Sequence, residues 1–178
     1  MINDIIEIKI NDVAYSARLD MGAIAECQHK LQKLKKNIGV VEMLDQVKEE
    51  NYLVVNNIII ESIKRCHPTL KDENILENMK LHDKNRIVAY VFELMSASLP
   101  STDDDKKKTS GVVNPYKKVQ DWDFSEMEYI YYSVLKRNND FWSITPKYFF
   151  KQWDAHKRFN GLDKQDSNRE VVNGTECG

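Results

Sequence analysis

The front of the chain alternates apolar and polar residues. Ile6, Ile8 and Ile10 are separated by Glu7 and Lys9, and after Asn11-Asp12 the pattern resumes with Val13, Tyr15 and Ala17. This period of two predicts an antiparallel β-hairpin with a two-residue turn at Asn11-Asp12. The turn pairs Ile10 with Val13, Ile8 with Tyr15 and Ile6 with Ala17, which puts all six side chains on one face. A lone two-stranded hairpin is marginal in water, so that face must pack on other elements of the chain.

From residue 20 onward the apolar pattern has the period of a helix. Asp20 is placed to cap a helix beginning at Met21, along which Ile24, Cys27, Leu31, Leu34 and Ile38 recur at steps of three and four. Gly39 is expected to end that helix, and Val40, Leu44 and Val47 mark a shorter second one. The segment from Tyr52 to Cys66 is ambiguous. Its β-branched residues favour a strand, whereas its length without Gly or Pro favours a helix. Val55, Ile59, Ile63 and Cys66 share one helical face, and the segment reads as a buried central helix ending near Pro68. A short helix over Asp72 to Met79 and a longer one over Asn85 to Ser98, with Ile87, Val91, Leu94 and Met95 inward, complete a unit covering residues 1–98.

Residues 99–119 break the pattern. Pro100, Ser101 and Thr102 lead into Asp103-Asp104-Asp105, Lys106-Lys107-Lys108, Thr109, Ser110 and Gly111, without apolar periodicity, and read as a flexible linker. Residues 120–162 read as a small aromatic helical domain. Residues 116–159 carry 13 of the chain's 17 aromatics, including Trp122, Trp142 and Trp153. Ser125 with Glu128 suggests a capping box for a helix carrying Met127, Ile130, Tyr131 and Val134 on one side. Thr145-Pro146 is a hydroxyl cap followed by proline at the first helical position, and it opens a helix with Phe149, Phe150, Trp153 and His156. Gly161 closes it. The polar residues 163–178 are expected to be disordered. The fold class is thus mainly α: a β-hairpin packed on a helical domain, a linker, a small aromatic helical domain and a tail.

Composition narrows the function classes. The chain has 178 residues, 42% hydrophobic and 30% charged, with a net charge of -2. That balance argues against a dedicated nucleic-acid binder, which carries a basic excess. No apolar run reaches the length of a transmembrane helix, and Met1-Ile2-Asn3-Asp4 lacks the pattern of a signal peptide. A cytoplasmic protein with no membrane partner is the expectation. Cys27, Cys66 and Cys177, an odd count at wide spacing, fit reduced thiols. The Asn173-Gly174-Thr175 sequon carries no weight in such a chain.

Catalytic motifs do not emerge. Glycine is scarce, no phosphate loop or nucleophile motif is present, and no cofactor is implied. Cys27 with His29 and Cys66 with His67 could supply four zinc ligands. Residues two apart or adjacent on a helix point in different directions, however, and Cys27 falls on an apolar stripe. Core cysteine and surface histidine is the better reading, with no metal. The Asp-Asp-Asp-Lys-Lys-Lys run is a docking patch or, more simply, a solvated linker. The aromatic cluster is a small core that needs large side chains, or in part a partner surface. Tyr129, Tyr131 and Tyr132 span most of one helix's circumference, and Tyr148 lies beside Phe149 and Phe150, more than one small core hides.

Two stretches carry a resemblance. Ile8-Lys9-Ile10-Asn11-Asp12-Val13-Ala14-Tyr15, then Arg18-Leu19-Asp20-Met21-Gly22-Ala23-Ile24-Ala25, resembles the opening of tail assembly chaperones of long-tailed bacteriophages and prophages. Trp122-Asp123-Phe124 and Asp140-Phe141-Trp142-Ser143-Ile144-Thr145-Pro146 resemble the family's small downstream tail-assembly domain, the Phe-Trp-x-x-Thr-Pro element being the more specific. The likeness covers about 130 of the 178 residues, at the level of pattern. It implies a non-enzymatic chaperone of the host cytoplasm, absent from the mature virion. Such a protein keeps the tape measure protein soluble and recruits the major tail tube protein, with self-association open. It also implies a programmed frameshift, for which adenine-rich codons at Lys106-Lys107-Lys108 would serve. On this reading the tube side is Tyr131, Phe141, Trp142, Phe149, Phe150 and Trp153. The tape measure side is Val54, Ile58 and Ile60, provided the helix from 52 is not covered all round. The competing expectations are a helical DNA-binding regulator, against which residues 1–98 carry 13 basic and 15 acidic side chains, and a small metalloenzyme built on the Cys/His pairs.

Overall fold

A computed structural model describes residues 4–34, 38–79, 84–100 and 121–162. Strands β1 (Ile6–Ile10) and β2 (Val13–Ala17) form an antiparallel hairpin. Ile6 lies opposite Ala17, Ile8 opposite Tyr15 and Ile10 opposite Val13. Ile8, Ile10, Tyr15 and Ala17 are buried, while Val13, nearest the turn, is exposed. Asn11 takes the left-handed conformation at φ 53°, which Asn tolerates better than most residues. Both edges of this two-stranded sheet are occupied by side chains. The Tyr90 hydroxyl accepts from the Lys9 N–H at 3.3 Å and donates to the Lys9 carbonyl at 3.0 Å. On the other edge, Nε2 of His67 accepts from the Ser16 N–H at 3.1 Å. Each edge thus has one of its backbone positions paired by a side chain.

Five helices come next in the chain: α1 (Met21–Lys33), α2 (Val40–Lys48), α3 (Tyr52–Cys66), α4 (Asp72–Met79) and α5 (Lys84–Ser98). The ambiguous segment is the central helix, α3, which contacts the hairpin, α1, α2, α4 and α5. Val54, Val55, Ile58, Ile59, Ile60 and Ile63 are all buried in it. A helix surrounded on this many sides must be apolar around most of its circumference, so its β-branched content reflects burial and not strand. Each such side chain contributes about 1.5–3 kcal/mol of apolar burial.

Two boundaries differ from expectation. Helix α1 ends at Lys33 with Leu34 as its cap, so Leu34 is exposed and does not continue the buried face. Gly39 does not end α1; it is the N-cap of α2. With no side chain of its own, Gly39 leaves the α2 terminus open, and the Asp121 carboxylate accepts from the Val41 N–H there at 3.1 Å. A carboxylate suits the positive end of a helix.

Residues 121–162 comprise α6 (Phe124–Tyr129), which runs into a π-turn over Ile130–Val134, a 3-10 turn over Phe141–Ser143, and α7 (Pro146–Phe159). The cap of α6 is Asp123, which accepts from the Ser125 and Glu126 N–H groups, and not Ser125. Thr145 caps α7 ahead of Pro146, and Gly161, at φ 67°, lies just past its end. The molecule is mainly helical with one N-terminal hairpin. The lysine run, most of the linker, the polar tail, Cys177 and the sequon lie outside the described residues. No helix among the described residues is long and apolar enough to cross a membrane.

Candidate interaction surfaces

Half of the aromatics picked out as a partner surface are core. Tyr131, Phe141 and Phe149 are buried together with Met127 and Ile144. The Tyr131 and Phe141 rings lie 5.7 Å apart and those of Phe141 and Phe149 6.0 Å apart. The π-turn accommodates this packing. Its wider turn lets the Leu135 N–H reach the Ile130 carbonyl at 2.9 Å, and it sets Tyr131 inward while Tyr132 stays at the surface. The polar tips of both are used: Tyr131 donates to Asn139 at 2.7 Å, and Tyr132 accepts from the Phe141 N–H at 2.9 Å. Tyr131, Phe141 and Phe149 are therefore not a free surface. Trp142 and Phe150 are half-buried against this core. The Trp142 indole N–H donates to Glu128 at 3.1 Å, so Glu128 braces a tryptophan and closes no capping box. Trp153 is half-buried and stacks on His156 at 5.6 Å, beside Lys157.

The two stretches that carry the family resemblance meet in space. Met21, the first residue of α1, sends its side chain into the aromatic core, and its N–H donates to the Ile144 carbonyl at 2.9 Å. Gly22 lies where a Cβ would stand 3.0 Å from the Trp142 carbonyl oxygen and 2.9 Å from the Arg65 guanidinium. A side chain at this position would push the two parts of the molecule apart. Arg65 spans the seam, donating to Asp20 at 2.8 Å and to the Trp142 carbonyl at 3.0 Å. Asp20 is fully buried, accepts from the Ala23 N–H at 2.9 Å and also pairs with Arg18 at 3.1 Å. Burial pushes its carboxyl above the ordinary range, while the Ala23 N–H, Arg65 and Arg18 pull the other way. Thr145 donates to Asp4 at 3.1 Å, and α7 packs against α5. Trp122 and Phe124 touch both hydrophobic clusters.

The exposed aromatics are a different set. Phe159 is 92% exposed and Tyr129 65%, with Tyr132 also at the surface and Phe92 on α5. A signal for Phe159 existed. At about 100° per residue it falls about 80° off the line of Phe149, outside the buried stripe. On the other unit, Val54 and Ile58 are fully buried and Ile60 nearly so. The condition attached to them fails for Val54 and Ile58, which neighbouring elements cover, while Ile60 is almost wholly buried at the floor of a surface groove.

The Cys/His pairs are not gathered. Cys27 is buried in the main core, and its thiol is pushed up to about 12 by burial and by Glu61. Cys66 is half-buried, and His67 is engaged by the hairpin edge. No group of three or more His, Cys, Asp or Glu among the described residues could hold a metal ion. One charged network is partly buried between α1, α3 and α4. Lys30 of α1 contacts both Glu61 of α3 and Asp72 of α4, and Lys64 reaches Asp72 at 2.8 Å. Burial works to raise the Asp72 carboxyl, but the hydrogen bonds and charges of Lys30 and Lys64 outweigh it and hold Asp72 below its ordinary value. Burial also works to lower Lys30, and Asp72 and Glu61 outweigh that and raise it. No family model, no curated protein and no solved structure matches this chain.

Proposed function

We propose that this protein is a tail assembly chaperone of a long-tailed bacteriophage or prophage, acting by protein–protein contact without catalysis. The proposed partners are the tape measure protein and the major tail tube protein. The resemblance of residues 8–25 and 140–146 supports the reading. The observation that carries it furthest is the exposure of Tyr129 and Phe159 beside a core that hides the neighbouring aromatics. Aromatic side chains are enriched among the residues that carry binding energy at protein interfaces. The tube-binding surface is accordingly reassigned to Tyr129, Tyr132, Trp153 and Phe159. The proposed site of action is the host cytoplasm, and the frameshift at Lys106-Lys107-Lys108 remains part of the proposal.

Co-expression with the tape measure protein of the same gene cluster tests the reading. The full chain is expected to co-purify with it and to raise its soluble yield. A Tyr129→Ser, Phe159→Ser double variant is expected to keep that activity and to lose capture of tube protein. A tape measure that stays insoluble and unbound refutes the chaperone reading. Sequencing the coding DNA tests the frameshift, which an uninterrupted frame without an adenine run removes.

A further inference from the structure

A groove lies between α1, α3 and α4, away from the aromatic unit. On α3, Leu53, Asn56, Asn57 and Ile60 line it at spacings of three, four and seven, which is one helical face. Leu34 at the end of α1 and Leu76 of α4 form its walls, and its volume is about 400 Å³. Leu34 is 58% exposed and Leu53 36%, while Ile60 forms the buried floor. Asn57 turns its amide N–H back to the Leu53 carbonyl at 2.8 Å, within its own helix. The stripe from 53 to 60 is about 10 Å long, or two helical turns.

The charge at the α1 end of the groove is unbalanced. Lys30 and Lys33 line it beside Asp72, with Lys64 and Glu61 in the same network. Two cations, Lys30 and Lys33, and one carboxylate, Asp72, thus line the groove. Lys30 and Lys64 are engaged with Asp72 and Glu61, and Lys33 makes no ion pair among the described residues. The excess is positive in a chain whose net charge is -2.

We propose that this groove docks an amphipathic helix of the client, two turns of which set aliphatic side chains over Leu53 and Ile60 and an acidic side chain at Lys33. Helix-in-groove recognition anchors through side chains at i, i+3 or i+4 and i+7, and the α3 stripe offers the matching surface. For the identity of the client, the proposal rests on the chaperone reading.

The test uses the full chain, with Leu53→Asp, Leu53→Ala and Lys33→Glu variants checked for folding by circular dichroism. The probes are overlapping peptides covering the tape measure protein, together with a synthetic amphipathic peptide carrying Leu at i and i+4 and Glu in the next turn. Fluorescence anisotropy is expected to show binding to at least one tape measure peptide and to the synthetic one. Leu53→Asp should weaken both by about tenfold or more, with Leu53→Ala intermediate. Lys33→Glu should weaken the acidic peptide by about threefold, and a Glu→Lys peptide should recover binding to that variant. Tape measure binding unaffected by the Leu53 variants overturns the groove and leaves the chaperone reading standing. Leu53-dependent binding of the synthetic peptide alone, without any tape measure peptide, overturns the tape measure protein as the occupant of the groove, and the co-expression result then decides the chaperone reading separately. Binding of neither overturns the proposal. A wild-type dimer that Leu53→Asp dissolves assigns the groove to a second copy and also overturns it.

Discussion

Truncating Met21 tests whether the two parts of the molecule form one cooperative structure. Met21 opens α1, yet its fully buried side chain belongs to the cluster of Met127, Tyr131, Phe141, Ile144 and Phe149. Met21→Ala removes a buried thioether and leaves a cavity, a change worth about 2–5 kcal/mol. Set against a typical total stability of about 5–15 kcal/mol, that is a large fraction. With a urea m-value of about 2 kcal/mol per molar, the midpoint should fall by about 1–2.5 M. Two probes see different ends of the molecule. All three tryptophans lie in residues 121–162, so their fluorescence reports the aromatic unit, whereas far-ultraviolet circular dichroism is dominated by the helices of the larger unit. In the wild type the two curves should coincide, as in a two-state transition. In Met21→Ala the tryptophan midpoint should drop at least as far as the dichroism midpoint. Gly22→Leu should separate the two curves by wedging Arg65 and the Trp142 carbonyl apart. A tryptophan midpoint unchanged in Met21→Ala would falsify the seam, since a side chain shared with that core cannot be removed without loss.

Three further outcomes are expected. Asp20→Ala should cost about 2–3 kcal/mol, from the lost helix cap and the charge-assisted bond to Arg65, and Asp20→Asn, which keeps a capping oxygen, should cost less; thermal denaturation distinguishes them. The pH dependence of stability should show opposite limbs. Asp72 is held below 3.8 in the fold, so its contribution is present above 3.8 and is lost as pH falls through its folded value, a limb that Asp72→Asn should flatten. Asp20 is held above 3.8, so stability declines as pH rises from 3.8 through its folded value, a limb that Asp20→Asn should flatten in chemical denaturation across pH 2–7. Finally, the Cys27 thiol, buried and pushed up to about 12, should react with a chromogenic thiol reagent at pH 8 only as fast as the protein opens, measured in a Cys66→Ser, Cys177→Ser background. Rapid labelling of Cys27 in the native state refutes its burial.

Local pattern was enough wherever a single element carries its own signal. The hairpin register comes from alternation about Asn11-Asp12, the Asp20 and Thr145 caps from residue type and spacing, and α3 from length against propensity. The misreadings occur where a terminus is completed from elsewhere in the chain, or where two neighbouring residues compete to cap it and the loser is drawn into a distant contact. Gly39 reads as a stop because glycine commonly ends helices, yet it starts α2, whose open N–H is met by Asp121, 80 residues along the chain. Ser125 with Glu128 reads as a capping box, but Asp123 caps the helix and Glu128 holds Trp142.

The candidate surfaces were legible only in outline. A sequence shows that residues 116–159 hold too many aromatics for one small core, but not which are hidden. Burial depends on what approaches from outside the element, and here that is Met21, supplied by the first helix of the other unit. The same holds for Val54, Ile58 and Ile60, whose exposure was decided by the helices and hairpin packed around α3. Sequence by itself determined the hairpin, its turn, the helical segments, the Asp20 and Thr145 caps and the mainly helical class, because these arise from interactions within a few residues. Only the tertiary structure decided that the two resemblance-bearing stretches meet at Gly22 and Trp142, that Tyr129 and Phe159 are left exposed, and that Leu53 and Ile60 line an open groove. Those outcomes depend on pairings across long stretches of chain, whose free energy no local pattern encodes.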